Sequence, residues 1–491
     1  MRYLSKSKYL AGLQCPKLLW HEFNRKDIIP PPNSVLQFAF EEGHRVGALA
    51  QKLFPGGILI PRKFNPEEQS IQSLEAAKQR KPLFEAGFIY KRAYAIADIL
   101  DPVGDDQWDL YEVKSSTGVK DEHMHDAAFQ RYTYEGAGLK IRKCFIVYIN
   151  KEFVRHSDIE PKDFFLKEDI TKQTEILAGQ IDRAVDAMLK TIEASEVPNN
   201  PIGPYCSSPH DCPLIDICWK DLPQGHIFLL YQGGQRCFDL MEQGILKVTD
   251  IPDDYKLNTK QVIQIEAHRK EETYIDKEAI HEFLAKLQYP LYFLDFETMA
   301  PAIPVYDNTG PYKAVPFQFS LHVVEKEGNM PIHHPYLAPG DVDPRPEVLR
   351  RLKELLGDKG SIIAYSAGFE KRCLKEAAFI YPQYLDWVKS LDDRIVDLLE
   401  PFKNFSFYHP KQEGSASLKY VLPAITHLTY KGLEIGNGGA ASAEYYRVTF
   451  TKVDEAERQR VRTALDKYCD LDTMGMVEIL EVLKGIWPVK A

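Results

Sequence analysis

Apolar and polar residues alternate along residues 93–100, AYAIADIL, and again along 108–116, WDLYEVKSS, which predicts two β-strands. The GDD at 104–106 between them is turn chemistry, so the two strands form a hairpin. Residues 123–138 follow with a helical pattern and residues 144–150 with another strand, giving the order β-β-α-β. Residues 169–195 have the period of a long amphipathic helix. The stretch VPNNPIGPYCSSPHDCP, 197–213, then breaks the pattern. Residues 223–285 are mixed and helical in character, and a second apolar strand begins at Leu291 within YPLYFLDFETM. Strands at 317–324 and 331–337, a helix at 345–357, a buried strand at 361–368 and a further helix complete the order three strands, helix, strand, helix. Residues 402–446, which contain YHP and EIGNGGAASAEYY, fit neither pattern; they are read as an insertion, a surface loop whose Tyr and Gly content also suits base stacking. The expected organisation is α/β throughout: residues 1–222, a helical linker region over 223–285, and residues 286–491.

Composition narrows the class. A chain of 491 residues is too long for one core, and 44% apolar with 27% charged residues reads as soluble and globular. No apolar run reaches the ~18 residues of a membrane span, and the start, MRYLSKSKYLAGLQCPKLLW, lacks the features of a signal peptide, so no membrane partner and a cytoplasmic location are expected. The net charge of −10 excludes a globally basic nucleic-acid binder; any such partner has to be held by local Lys and Arg patches. In that compartment the eight cysteines are not expected to form disulfides, and three of them, Cys206, Cys212 and Cys218, cluster within 13 residues, which asks for a metal explanation.

Two carboxylate constellations carry chemistry. On the second strand of the hairpin, Glu112 and Lys114 are two apart and share a face, and the hairpin brings Asp98 beside them. Two close carboxylates repel unless a divalent cation lies between them, and a lysine there can orient a water or offset charge on a phosphate. Gln130 and Tyr134 are four apart on the following helix and share its face. Far along the chain, Asp295 and Glu297 again stand two apart on a strand.

The first constellation resembles the PD-(D/E)XK nucleases of the RecB type. The resemblance matches Asp98, Glu112, Lys114, Gln130 and Tyr134 to that family's Asp, E-x-K and Q-x-x-x-Y positions, and implies a metal-ligating His44 in EEGHRVGALAQKLF. It implies a restriction-endonuclease-like domain using Mg²⁺ or Mn²⁺. One subgroup places one cysteine before the nuclease core and three after it; Cys15, Cys206, Cys212 and Cys218 follow that layout, although Cys206-x5-Cys212 is wider than the usual C-x-x-C. A [4Fe–4S] cluster is implied, with Zn²⁺ as the alternative. The C-terminal part resembles the ribonuclease H-like DEDD exonucleases. There Asp295, Glu297, Glu370 and Asp472 would hold two metal ions and Tyr468 would orient water. The departure is AYSAGFEKRCL, which supplies Ser366 and Glu370 where the family has Asn and Asp.

The resemblance thus implies a metal-dependent deoxyribonuclease, exonucleolytic on single strands or ends, with a possible second 3′–5′ site. RNA is open as a substrate, as are DNA repair and defence as settings and a helicase or other subunit as partner. Two other classes stand beside it: a nucleic-acid-binding scaffold with inactive sites, and a redox-sensing iron–sulfur protein.

Overall fold

A computed structural model describes residues 2–63 and 65–486. The chain divides into two compact units of mixed α/β structure. One comprises residues 1–221 and 301–312, the other 222–300 and 313–491. The division after Asp221 lies close to the expected boundary at 222. The segment 223–285, read from sequence as a separate linker, groups instead with the second unit, and twelve residues expected in the second unit, 301–312, group with the first. The linker reading is corrected for a physical reason. Tyr274–Ile275 pairs with Phe407–Tyr408, and Ala267 of the helix Thr259–Lys270 packs with Phe405 and Tyr408 in one core, which ties the segment to the second unit.

The first unit is built around one seven-stranded sheet. Its elements in chain order are α1 (Lys6–Gln14), α2 (Ser34–Gln51), β1 (Leu83–Tyr90), β2 (Ala93–Val103), β3 (Gln107–Lys114), α3 (Asp121–Gly136), β4 (Lys140–Ile149), β5 (Phe165–Asp169) and α4 (Thr171–Glu193). The strands lie in that order across the sheet, with Ile58–Leu59 outside β1. The pairs β1–β2, β2–β3 and β4–β5 are antiparallel, whereas β3–β4 is parallel and is connected by α3. A parallel pair needs such a crossover, and the apolar face of α3 packs on the sheet: Ala128 and Phe129 join Phe88, Ala97, Leu110 and Ile146 in one core. Leu4–Ser5 pairs with the start of β2 through Leu4 and Ala93, so α1 begins at Lys6 beside this sheet.

The second unit has a five-stranded sheet. Its elements are β6 (Leu291–Met299), β7 (Val315–Val324), β8 (Ile332–Leu337), α5 (Arg345–Leu355), β9 (Ser361–Ala364), α6 (Gly368–Ile380), β10 (Ile395–Asp397), α7 (Leu418–Ile425), α8 (Gly438–Phe450) and α9 (Glu455–Ile486). The order across the sheet is β8-β7-β6-β9-β10, antiparallel among the first three and parallel among the last three. Leu291 and Phe293 of β6 are in one core with Met476 and Leu480 of α9. Strand alternation therefore turns Asp295 and Glu297 toward the same face.

The stretch 402–446 is not the surface loop expected from its glycines. Asn437 accepts from the backbone N–H of Ala440 and caps α8, so Gly438 and Gly439 fall in the first turn. Tyr445 is fully buried and stacks on Phe317, ring centroids 3.8 Å apart and 5° from parallel, and Tyr446 is buried too. These tyrosines serve the core and are not free to stack on bases. Among the described residues no helix is long and apolar enough to cross a membrane. Phe317→Ala is expected to destabilise the second unit by about 3–5 kcal/mol, seen as a lower denaturant midpoint at unchanged slope.

Candidate functional site

In the first unit the antiparallel register pairs Ile99 with Tyr111, so Asp98 and Glu112 are the next residues on β2 and β3. Asp98 Oδ2 accepts from the backbone N–H of Val113 at 2.7 Å. Glu112 is buried, and both of its oxygens are engaged. Lys6 and Lys114 each donate to Oε1 at 2.7 Å, and the Gln130 amide donates to Oε2 at 2.7 Å. The same amide reaches Asp126 Oδ1 at 3.0 Å, Lys114 also bonds Asp126, and the Tyr134 hydroxyl donates to Gln130 at 3.4 Å. The structure thus brings Asp98, Glu112, Lys114, Gln130 and Tyr134 together.

Two members of this site were not among the sequence-predicted residues. Asp126 carried a signal, since it lies four residues before Gln130 on the same helical face. Lys6 carried none, because it arrives through the pairing of Leu4–Ser5 with β2. His44 is exposed on α2, and among the described residues neither it nor Asp98 and Glu112 belongs to a group of three ligand atoms within 4.8 Å. The charged residue that α2 buries is Glu42, which accepts from the backbone N–H of Ala302. Two residues apart on a helix is about 200° of rotation, so Glu42 and His44 cannot both face inward.

The charges sort unequally. Burial disfavours every charge here, but Lys114 and Lys6 against Glu112 hold its carboxyl below the usual range. Asp98 is pushed up to about 8, by burial first and then by the charge on Glu112. Three carboxyls thus share two ammoniums, and in this arrangement a cation binding Glu112 has to displace one of them.

The second unit holds a different balance. Asp295 and Glu297 of β6 and Asp472 of α9 each offer an oxygen, and these lie within 4.8 Å of one another. Gln318 of β7 is directly across from Glu297, and the β-bulge falls just before it, at Phe317. Gly438 is so close that a Cβ on it would lie 3.4 Å from Glu297 Oε2. Tyr430 donates to Asp472 Oδ1, and Tyr468 also hydrogen-bonds Asp472. Glu370, in the first turn of α6, is buried; its Oε2 has no hydrogen-bond partner, and its charge raises both Asp295 and Glu297. The structure therefore gathers Asp295, Glu297, Asp472 and Tyr468, with Glu370 near them but outside the tight group. Asp397 is occupied otherwise: one of its oxygens accepts from the N–H groups of Ser366 and Leu399 and closes the ends of β9 and β10.

Among the described residues no cation balances this cluster closely; the exposed Lys419 is the one whose charge acts on Glu297 and Asp472. Asp295 and Glu297 are consequently pushed far above the carboxylate range, by burial and then by Asp472. Burial and the charge on Asp397 push Glu370 up to about 8, and burial pushes Asp472 up to about 6. Oxygen-only donors, a carboxylate oxygen without a partner and uncompensated negative charge are what a hard divalent cation requires.

Cys15, Cys206, Cys212 and Cys218 line one cavity with Leu18, Tyr205 and Leu214. Among the described residues, no three cysteine sulfurs lie within 4.8 Å of one another. Cys144 is a fully buried core residue, as its apolar strand suggested.

Comparison with known proteins adds the following. A family profile described as a domain of unknown function, DUF2779, matches residues 292–417. That span contains Asp295, Glu297 and Glu370 and ends before Tyr468 and Asp472. The chain is 25% identical over 222 residues to the uncharacterized protein MG366 of Mycoplasma genitalium, covering 41% of this chain and 33% of that protein. It is also 25% identical over 212 residues to the MG366 homolog of Mycoplasma pneumoniae, covering 40% and 32%. The uncharacterized protein UU173 of Ureaplasma parvum is 25% identical over 231 residues, 43% of this chain and 33% of its own length. The matched part is about a third of the length of these curated relatives.

The raised carboxyls give a pH test. A carboxyl whose folded pKa lies above its unfolded value stabilises the fold fully below the unfolded value and loses that contribution as pH rises through the folded one. For Glu370 the window runs from its ordinary range up to about 8. The chelator-treated protein is expected to melt at falling temperature as pH rises across this window, and Glu370→Gln to flatten the slope. Equal slopes in thermal melts of the two proteins would remove Glu370 from the cluster.

Proposed function

We propose that the chain is a divalent-metal-dependent nuclease that hydrolyses phosphodiester bonds of DNA at single strands or ends. The first unit is read as a restriction-endonuclease-like PD-(D/E)XK domain. The second is read as a ribonuclease H-like domain of the DEDD exonuclease type, with 3′–5′ polarity. The observation that carries the reading is the convergence of Asp295, Glu297 and Asp472 within 4.8 Å, with Glu370 and Tyr468 beside them and, among the described residues, no lysine or arginine bonded to any of the three. A second observation supports it: the separate Asp98–Glu112–Lys114 cluster is assembled from the residues its motif names.

Asp295, Glu297, Glu370 and Asp472 would hold Mg²⁺ or Mn²⁺, and Asp98 and Glu112 would hold a further ion. Such an ion polarises the scissile phosphate and acidifies a bound water. The chain's own residues do the rest. Tyr468, hydrogen-bonded to Asp472, is placed to orient a water. In the first unit, Lys114 turns its ammonium from Glu112 and Asp126 toward charge developing on the phosphate, while Gln130 and Lys6 keep Glu112 in place.

The four cysteines would hold a metal group that fastens the chain's start to the end of the first unit. Around a single zinc ion, bonds of about 2.3 Å gather the sulfurs to about 3.8 Å from each other. In a [4Fe–4S] cage the four cysteines bind separate corners instead, and the resemblance to the iron–sulfur subgroup favours that cage. Anaerobically purified protein is expected to contain iron and acid-labile sulfide, and Cys212→Ser to lose both. Zinc at one per four cysteines, without sulfide, selects the zinc site instead.

The activity test uses 5′- and 3′-labelled single- and double-stranded DNA and RNA with Mn²⁺. Wild-type protein is expected to shorten at least one DNA substrate. Lys114→Ala should slow the first site by about 10²–10³-fold. Asp295→Ala should abolish the product ladder that starts from 3′ ends. Cleavage unaltered in both variants would defeat the assignment, and no cleavage of any substrate would favour a binding scaffold.

A further inference from the structure

Two histidines and an aspartate of the second unit fall outside the carboxylate cluster. His322 of β7 and His333 of β8 are directly opposed in the antiparallel register. Their rings are stacked 4.4 Å apart and 5° from parallel. Both turn a nitrogen toward one oxygen of Asp470 on α9: Nε2 of His322 at 3.6 Å and Nδ1 of His333 at 3.3 Å. The three ligand atoms lie within 4.8 Å of one another.

The remaining nitrogens are held by hydroxyls. Thr473 Oγ1 is 2.9 Å from His322 Nδ1, Ser320 Oγ is 2.8 Å from His333 Nε2, and the two hydroxyls are 2.6 Å apart. Counting protons along this chain decides what faces Asp470. Three hydrogen bonds need three protons, and Ser320 and Thr473 supply one each. At least one imidazole therefore donates into the chain. If that ring is neutral, its other nitrogen, the one facing Asp470, carries a lone pair and no proton. A lone pair opposite a carboxylate oxygen at 3.3–3.6 Å is repulsive unless positive charge lies between them.

We propose that His322, His333 and Asp470 form a transition-metal site, distinct from the carboxylate cluster, that takes Zn²⁺. Two imidazoles with one carboxylate are the borderline donor set that zinc occupies with an open fourth position, whereas Asp295, Glu297 and Asp472 offer only hard oxygens. Ser320 and Thr473 act as the outer partners that fix ring orientation in such sites. The Asp470 side chain is 48% exposed, which gives the ion an entry path. One ion here joins β7, β8 and α9, and α9 is the helix that bears Tyr468 and Asp472.

The test is metal content, independent of cleavage. Metal-stripped full-length protein is equilibrated with Zn²⁺, freed of excess and analysed by mass spectrometry of the bound metal, beside His333→Gln, Asp470→Asn and Asp295→Asn. Both altered positions of the proposed site are partly exposed, and circular dichroism checks that each variant folds. Wild type and Asp295→Asn are expected to hold one zinc per chain more than His333→Gln and Asp470→Asn. Zinc should also raise the melting temperature of wild type but not of His333→Gln. Equal zinc in all four proteins overturns the site. So does a metal-free protein whose His322 or His333 titrates as an imidazolium above pH 7 and takes up no zinc, because a proton then fills the gap.

Discussion

Mutual repulsion among buried carboxyls is the constraint around which the second unit is organised. Asp295 and Glu297 are held by the sheet, Asp472 by α9 and Glu370 by α6, and all stand in surroundings where charge is poorly solvated. Left alone, such a group keeps its protons and gains nothing from closeness. The fold nevertheless forces closeness with apolar packing on both sides of the site. Leu291 and Phe293 precede the pair on β6, and Met476, Ile479, Leu480 and Leu483 follow Asp472 on α9. That packing gives the helix no freedom to carry Asp472 away. The cluster is thus a group of carboxyls held together by hydrophobic burial, and a divalent cation would relieve the resulting repulsion.

The first unit solves a similar problem with its own cations. Glu112 and Asp126 are both buried, yet Lys6 and Lys114 lie against them and Gln130 bridges them. Much of the charge is settled without any ion, and burial with the charge on Glu112 leaves Asp98 and Asp126 with raised pKa values. A metal entering the first unit must displace an ammonium; one entering the second meets no such competitor. The complete sequence motif of the first site therefore does not make it the readier of the two.

Much of this was legible because spacing maps simply onto faces. Period two on a strand put Asp295 with Glu297 and Glu112 with Lys114; period 3.6 on a helix put Gln130 with Tyr134 and Tyr468 with Asp472. The same rule stops at one element. Lys6 reaches Glu112 through a two-residue strand, Leu4–Ser5, too short to leave a pattern. Residues 301–312 group with the first unit although they stand between two strands of the second, and no local signal marks that exchange. The glycines before α8 misled for a different reason. A cap at Asn437 makes the first turn tolerant of them, and the burial of Tyr445 against Phe317 outweighs their poor propensity. The resemblance pointed to His44, whereas the face of α2 that is buried carries Glu42, Val46 and Ala50.

Helix α9 connects these observations. Over 32 residues it supplies Tyr468 and Asp472 to the carboxylate cluster, Cys469 against Asp295 at 3.8 Å, and Asp470 and Thr473 to the histidine pair. Successive residues on a helix are about 100° apart, so these side chains leave it in several directions. They meet one sheet face because β6, β7 and β8 present Asp295, Ser320, His322 and His333 across it, with Ser320 opposite Asp295 and His322 opposite His333. A small axial shift or rotation of α9 therefore cannot alter one cluster and spare the other. Asp470, Asp472 and Thr473 thus belong to one stretch of helix, and burial of its apolar face beyond Thr473 fixes where that stretch lies on the sheet.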